Sequence, residues 1–265
     1  MPTPGDSAPG STVPGPADSP DLWLRRYHPE PAARSVLVCF PHAGGSAGYF
    51  HPLSAALSPD VEVVALQYPG RQDRRAEPFP AELPSFADAI AAVLAAAPDG
   101  RPFAFLGHSM GAILAFEVAV RLQQAGRTGP ERLFVSGRRA PSTVRDERVH
   151  LRADAGLVAE MRRLAGTDAR LLEDPDVLAM ILPATRADYR VIETYRWRPG
   201  PPLDCPISIL IGDSDPKATV DEARAWERHT GRGSSLHVFP GGHFYLAEHA
   251  AAVVDLVRAE LAPTR

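Results

Sequence analysis

The ten residues Phe103-Ala104-Phe105-Leu106-Gly107-His108-Ser109-Met110-Gly111-Ala112 constrain this chain more than any other stretch. A short aromatic and aliphatic run, which reads as a buried strand, passes through Gly-x-Ser-x-Gly into a pattern of helical spacing from Met110 to Gln124. The turn needs glycine on both flanks. A serine at the apex of a sharp strand-to-helix turn is strained, and side chains beside it would collide with the neighbouring strand and helix. The helix beginning at Met110 then directs its positive end and free N–H groups at the serine. The pattern makes Ser109 a candidate nucleophile.

The rest of the chain supplies the sheet that such a turn requires. β-Branched and aromatic runs at Ser35 to Phe40, Val61 to Gln67, Pro102 to Leu106, Arg132 to Ser136, Ile207 to Ile211 and Leu236 to Phe239 read as strands. Helical patterns lie between them, including Ser85 to Ala97, with Ser85 as a plausible cap, and Met110 to Gln124, ended by Gly126. Strands separated by helices pair in parallel through right-handed crossovers, so the fold class is α/β with a mostly parallel, doubly wound sheet. One stretch breaks the alternation. From about 140 to 198 no strand pattern occurs, while Ala155 to Leu164 and Pro175 to Tyr195 read as helices. This insertion leaves the carboxyl edge of the sheet, where open α/β folds place their ligand crevice, and so is expected to form a helical lid. The chain shows no internal repeats.

A serine hydroxyl is a weak nucleophile near neutral pH and needs a base, itself oriented by an acid; after this kind of turn the partners follow in the order Ser, acid, His. Pro240-Gly241-Gly242-His243-Phe244 follows the last strand and brings His243 to the same edge as Ser109. His249 is the competitor, but it falls on Leu246 to Leu261, which reads as one helix, and is expected at the surface. For the acid, Ile207 to Ile211 runs into Gly212-Asp213-Ser214-Asp215-Pro216. Either aspartate could reach. Asp215, held by Pro216, is favoured over Asp213, which reads as a turn residue bonding its own backbone. A metal held by this Asp-x-Asp pair has no supporting His or Cys cluster, so no metal is expected. The oxyanion hole would combine the Met110 N–H with one from the loop Phe40-Pro41-His42-Ala43-Gly44-Gly45-Ser46-Ala47-Gly48, most plausibly Ala43. His42 is expected to shape that loop by hydrogen bonding. The loop has neither dinucleotide spacing nor a following Gly-Lys-Ser/Thr, which excludes both phosphate-binding readings and leaves no cofactor expected.

With 265 residues, 45% of them hydrophobic, the chain can bury one catalytic domain, expected over 21–265. Residues 1–20 are almost entirely Pro, Gly, Ser, Thr, Ala and Asp and are expected to form a disordered tail. No run approaches the roughly 18 apolar residues of a membrane span and no signal peptide is visible, so a cytoplasmic location is expected. Cys39 and Cys205 lie in different contexts and are not expected to pair. A formal net charge of −4 gives no general reason for a nucleic-acid or membrane partner. Any charge-based docking is local: Arg71, Arg74 and Arg75 follow one strand and Arg138 and Arg139 another, all on the edge that bears Ser109.

The whole pattern resembles the free-standing type II thioesterases that accompany modular polyketide and non-ribosomal peptide synthases. The resemblance runs from about residue 22 to 262. It rests on Phe-Pro-His-Ala-Gly-Gly at 40–45, Gln67-Tyr68-Pro69-Gly70-Arg71, Gly-His-Ser-Met-Gly at 107–111, Ser136-Gly137-Arg138-Arg139-Ala140-Pro141, Arg186-Ala187-Asp188-Tyr189, Gly212-Asp213-Ser214-Asp215 and Gly241-Gly242-His243-Phe244-Tyr245-Leu246. It implies an α/β-hydrolase fold, a triad of Ser109, Asp215 and His243, oxyanion donors at Ala43 and Met110, and a helical insertion capping an acyl chamber. The implied reaction is hydrolysis of acyl thioesters on the phosphopantetheine arm of acyl or peptidyl carrier proteins, which clears blocked modules. On that reading the five arginines are candidates for docking an acidic carrier and its phosphate; the alternative is that they pair locally with Asp73, Glu77 and Asp146 or simply solvate their loops. The rival readings are a general carboxylesterase, a cyclising thioesterase, and a pseudo-hydrolase that only binds a small ligand.

Overall fold

Side-chain alternation along the strands decides how the sheet is covered. In the strand Ser35–Phe40, Val36, Val38 and Phe40 enter one apolar cluster, while Leu37 and Cys39 enter another on the opposite face. Every residue of this strand is buried, as expected of a parallel strand sandwiched between helices. The structure is a computed structural model describing residues 19–96 and 100–262. The expected tail lies outside the described residues as far as residue 18; Ser19 and Pro20 are placed, and Pro20 opens the short helix α1, Pro20–Trp23.

Among the described residues seven strands form one sheet: β1 (Leu24–Arg26), β2 (Ser35–Phe40), β3 (Val61–Leu66), β4 (Phe103–His108), β5 (Leu133–Ser136), β6 (Ile207–Gly212) and β7 (Ser234–Phe239), in the order β1-β3-β2-β4-β5-β6-β7. All neighbours pair in parallel except β1 with β3, which are antiparallel. Helices α3 (Leu83–Ala96) and α4 (Met110–Gln124) cover one face, and α2 (His51–Leu57) and α9 (Ala250–Leu261) the other. Cys39 and Cys205, both buried free thiols, sit in the clusters on opposite faces.

This strand order sets the site. The chain passes from β2 outward to β3, then returns across β2 to β4, so β2 and β4 are neighbours at a switch point, with Phe40 opposite Gly107. The loop after β2 and the turn after β4 therefore emerge side by side. β6 and β7 follow on the far side of β5, with Gly212 opposite Phe239, and deliver their loops to the same edge. Between β5 and β6 the chain builds a helical layer of α5 (Asp154–Leu164) and α6 (Pro175–Thr194), with single turns at Val149–Leu151 and Leu171–Glu173. Asp174 caps α6, accepting from the N–H groups of Asp176 and Val177. Val149, Leu157, Val158, Leu172, Leu182 and Tyr189 form the core of this layer, and Ala43 packs against it.

Three readings from sequence need correction. Helix α3 begins at Leu83, and Ser85 is not its cap; its Oγ bonds the Glu82 carbonyl at 3.1 Å. The C-terminal pattern is two helices, α8 (Tyr245–Glu248) and α9, separated at His249, whose Nε2 lies 2.9 Å from the Pro240 carbonyl. The three-residue β1, the helix α2, with proline near its start, and the short helix α7 (Val220–Arg224) are elements that the sequence pattern does not predict.

Candidate active site

The turn after β4 holds Ser109 at φ 56° and ψ −116°, a region that non-glycine residues rarely occupy. Its N–H donates to the Ser136 carbonyl at 2.8 Å, fixing it to the neighbouring strand. Both flanking glycines are sterically required. A Cβ at Gly107 would stand 2.2 Å from the Gly111 carbonyl oxygen, and one at Gly111 would stand 2.0 Å from the Phe40 carbonyl oxygen. The sharp turn exists because the backbones of β2, β4 and α4 can touch there.

His243 Nε2 lies 3.0 Å from Ser109 Oγ. Its Nδ1 lies 2.9 and 2.8 Å from the two Asp215 carboxylate oxygens. The tautomer that satisfies both contacts carries its proton on Nδ1, donates it to Asp215, and accepts from the serine hydroxyl at Nε2. The side chains of His243 and Asp215 are 2% and 0% exposed, so the pair is shielded from competing water. Asp215 also accepts from the Lys217 N–H at 2.8 Å. Asp213 stands apart: it is exposed and accepts from the Gly241 N–H and the Ser214 hydroxyl, a turn role. The Asp-x-Asp pair thus divides its work, and among the described residues no group of three or more His, Cys, Asp or Glu side chains could hold a metal ion.

Met110 opens α4, so its N–H lacks the carbonyl four residues back that interior helical amides use. Neither it nor the Ala43 N–H donates to an acceptor among the described residues. The loop that carries Ala43 and the turn that leads into Met110 meet at the β2–β4 switch point.

Behind Ser109 lies a group of rings that the sequence did not disclose. His108 packs 5.0 Å from His243 and 5.2 Å from Phe244 between ring centres, and its Nδ1 shares Ser136 Oγ, which in turn bonds the Tyr245 hydroxyl at 2.6 Å. Burial first, then His243 and His42, push the His108 pKa well below its ordinary value. His42 differs from expectation. Its Nδ1 has no hydrogen-bond partner among the described residues; the ring shapes the loop by edge contacts with Tyr49 and Phe244 at 4.6 and 4.8 Å. Burial, reinforced by His243 and Arg71, drives its pKa down to about 3. His42 and His108 therefore stay neutral and add no charge beside His243.

The five arginines do not form the expected ring of free charges. Arg71, Arg74, Arg138 and Arg139 are only 6, 2, 7 and 4% exposed. Arg71 makes a two-pronged bond to Asp188, Arg74 a two-pronged bond to Glu77, and Arg139 a bond to Glu147 at 2.5 Å. Arg138 Nε is buried without a partner among the described residues, and burial, followed by Arg139, lowers its pKa to about 9. Only Arg75 is exposed. The docking role is withdrawn for the four buried residues, because the loops leaving the sheet edge turn their guanidinium groups inward, Arg71 and Arg139 onto carboxylates of or beside the helical layer and Arg74 onto Glu77 and the Trp23 ring.

Comparison with known proteins decides the family. The thioesterase-domain family matches residues 35–261. This chain belongs to the thioesterase family. It is 54% identical over 248 residues to the "Probable cadicidin biosynthesis thioesterase" of Streptomyces griseus, covering 94% of this chain and 68% of that protein. It is 48% identical over 247 residues to thioesterase PikA5 of Streptomyces venezuelae, covering 92% and 87%. Among solved structures, the type II thioesterase BorB from the borrelidin biosynthetic cluster superposes with a TM-score of 0.84 at 50% identity, covering 91% of this chain and 98% of that one. The chain is therefore a hydrolase with the α/β-hydrolase fold, and no helix among the described residues is long and apolar enough to cross a membrane.

Proposed function

We propose that this thioesterase removes acyl groups from the phosphopantetheine arms of acyl or peptidyl carrier proteins, clearing blocked modules of a polyketide or non-ribosomal peptide synthase, with Ser109, His243 and Asp215 as its triad. The observation that carries the reading is the buried run of contacts from Ser109 Oγ through His243 to Asp215, at 3.0 and 2.8 Å, in a chain so similar to PikA5 and BorB.

In acylation His243 Nε2 takes the hydroxyl proton as Ser109 Oγ bonds the thioester carbonyl carbon. The N–H groups of Ala43 and Met110 hold the negative oxygen of the tetrahedral intermediate. Collapse breaks the carbon–sulfur bond, and the imidazolium returns its proton to the departing thiolate. A thiol of pKa about 8.5 leaves more readily than an alcohol, so the step needs less assistance than ester cleavage. Water then gives its proton to His243 and attacks the acyl-serine, releasing the acid and regenerating Ser109. The helical layer of α5 and α6 serves as the lid over the buried serine.

Intact-mass measurement after mixing with an acyl carrier protein tests the assignment. Wild type is expected to carry the acyl adduct transiently. Ser109→Ala is expected to carry none and to lose at least about 10³-fold in kcat. The same adduct on the alanine variant would overturn the reading, as would wild-type turnover by it.

A further inference from the structure

The loop that carries Ala43 makes few bonds of its own. Within it, the Gly45 N–H donates to the His42 carbonyl at 2.9 Å; this carbonyl shares a peptide plane with the Ala43 N–H, so the bond sets the direction in which that N–H points. The peptide planes 43–44 and 45–46 are held from outside. The Gly44 N–H donates to Asp188 Oδ2 at 2.8 Å, and the Gly45 carbonyl accepts from Arg71 Nη1 at 3.1 Å. Asp188 and Arg71 are locked to each other at 2.6 and 2.9 Å, and both are buried. Arg71 leaves the loop after β3, whereas Asp188 belongs to α6, in the helical layer. Gly44 is what lets the two meet. It sits at φ +77°, and a Cβ there would stand 2.4 Å from Thr185 Oγ1 on α6.

We propose that Asp188 is a positioning residue for thioester hydrolysis, its carboxylate holding the Gly44 peptide so that the Ala43 N–H faces the developing oxyanion. The proposal rests on the reading of Ala43 as an oxyanion donor. A buried carboxylate accepting both a guanidinium and a backbone N–H makes charge-assisted bonds, stiffer than the neutral bond inside the loop. It contacts no reacting atom. Its effect falls on the transition state, where the oxyanion forms, rather than on substrate binding. Because the carboxylate rides on α6, the helical layer supplies part of the oxyanion hole's support as well as its cover.

Replacing Asp188 alone would strand a buried guanidinium, so the test removes both charges. Arg71→Leu/Asp188→Asn keeps an amide oxygen where Gly44 needs an acceptor; Arg71→Leu/Asp188→Leu does not. The leucine pair is expected to show a kcat at least about tenfold below the asparagine pair, part of the ~10²–10³-fold that loss of an oxyanion donor costs. KM for a small acyl thioester should agree within about twofold between them, the split that distinguishes lost transition-state stabilisation from lost binding. Arg71→Leu/Asp188→Ser, too short to reach Gly44, carries the same expectation should the second leucine overfill the site and prevent folding. Equal kcat for folded variants with and without the acceptor overturns the positioning role. The parent reading fails separately, if Ser109→Ala still hydrolyses the thioester with residues 71 and 188 intact.

Discussion

The Lys217 N–H donates to Asp215 Oδ1 at 2.8 Å, while the Lys217 ammonium is itself buried between Glu147 at 2.5 Å and Glu160 at 3.2 Å. Glu160 lies on α5, so the loop that carries the acid is tied to the helical layer by an ion-pair cluster. Arg139 joins the same cluster through Glu147 and the Lys217 carbonyl. Asp188 makes the corresponding tie to the loop of Ala43, so the layer is anchored at both sides of Ser109. Orientation of Asp215 thus comes from its own loop's backbone as well as from the imidazole it holds.

Asp215→Asn is expected to lower kcat by about 10³- to 10⁴-fold while the protein still folds, because the amide favours the wrong imidazole tautomer. Asp213→Asn keeps an oxygen for the Gly241 N–H, and its kcat should stay within about threefold of wild type. Steady-state kinetics on both variants, with melting temperatures as controls, check the assignment; greater damage from Asp213→Asn reverses it.

The glycines of the turn predict stability rather than rate. Gly107→Ala would press a Cβ on backbone atoms of Gly111 and Ala112 that cannot swing aside, and should cost about 3 kcal/mol or more, or prevent folding. Gly129→Ala, with nothing within 4 Å of the new Cβ, should remain within about 0.5 kcal/mol of wild type. Urea unfolding of the two variants separates these outcomes.

What could be read from sequence follows the range of the interactions involved. Five strands, β2 to β6, were legible because parallel strands buried on both faces are nearly continuous apolar runs; of β7, an edge strand with no fully buried residue, only the end Leu236 to Phe239 was. β1 was not, since three residues with two arginines carry no pattern and pair only because β3 offers an edge. Arg71 was legible as a charge near the site but not as a buried one: its partner Asp188 lies 117 residues away, and Gly44 lies 144 residues from that same carboxylate. The break at His249 was hidden by apolar spacing that continues across it. A contact that closes only when distant loops meet leaves no periodic trace.

His229 gives the fold a pH dependence of definite sign. Its ring packs against Phe116, Trp197 and Trp226, its Nε2 meets Ser142 Oγ at 2.9 Å, and burial, then Arg228, lowers its pKa from 6.5 to about 4. Between those values the unfolded chain binds a proton there that the folded protein does not, so stability falls as pH drops through the window from 6.5 to 4. Each such histidine contributes a slope of up to about 1.4 kcal/mol per pH unit. Urea unfolding across this range should show His229→Gln with a shallower dependence than wild type, by up to one such slope. An unchanged slope would mean that His229 protonates freely in the folded state.

The arginines supply the last prediction, because burial separates two roles that their positions in the chain suggested were one. Arg74→Glu would put a carboxylate beside Glu77 and remove a guanidinium that lies 4.3 Å from the centre of the Trp23 ring and donates to the Gln67 carbonyl. Arg139→Glu would set a carboxylate against Glu147, whose own pKa is brought down to about 2 against the opposing pull of burial by Lys217 and Arg139. Each reversal should cost about 3 kcal/mol, because a buried guanidinium is replaced by a carboxylate facing another carboxylate. Arg75→Glu, at an exposed position, should change stability by less than about 0.5 kcal/mol. The kinetic consequence follows from the same burial. With one of the five charges exposed, raising ionic strength from low to physiological should lower kcat/KM for an acyl carrier protein, relative to that for a small uncharged thioester, by no more than about threefold. Melting temperatures of the three reversals and the salt series on both substrates test these expectations together. A salt effect of tenfold or more on the carrier alone, abolished by Arg75→Glu, would show that this single arginine directs docking.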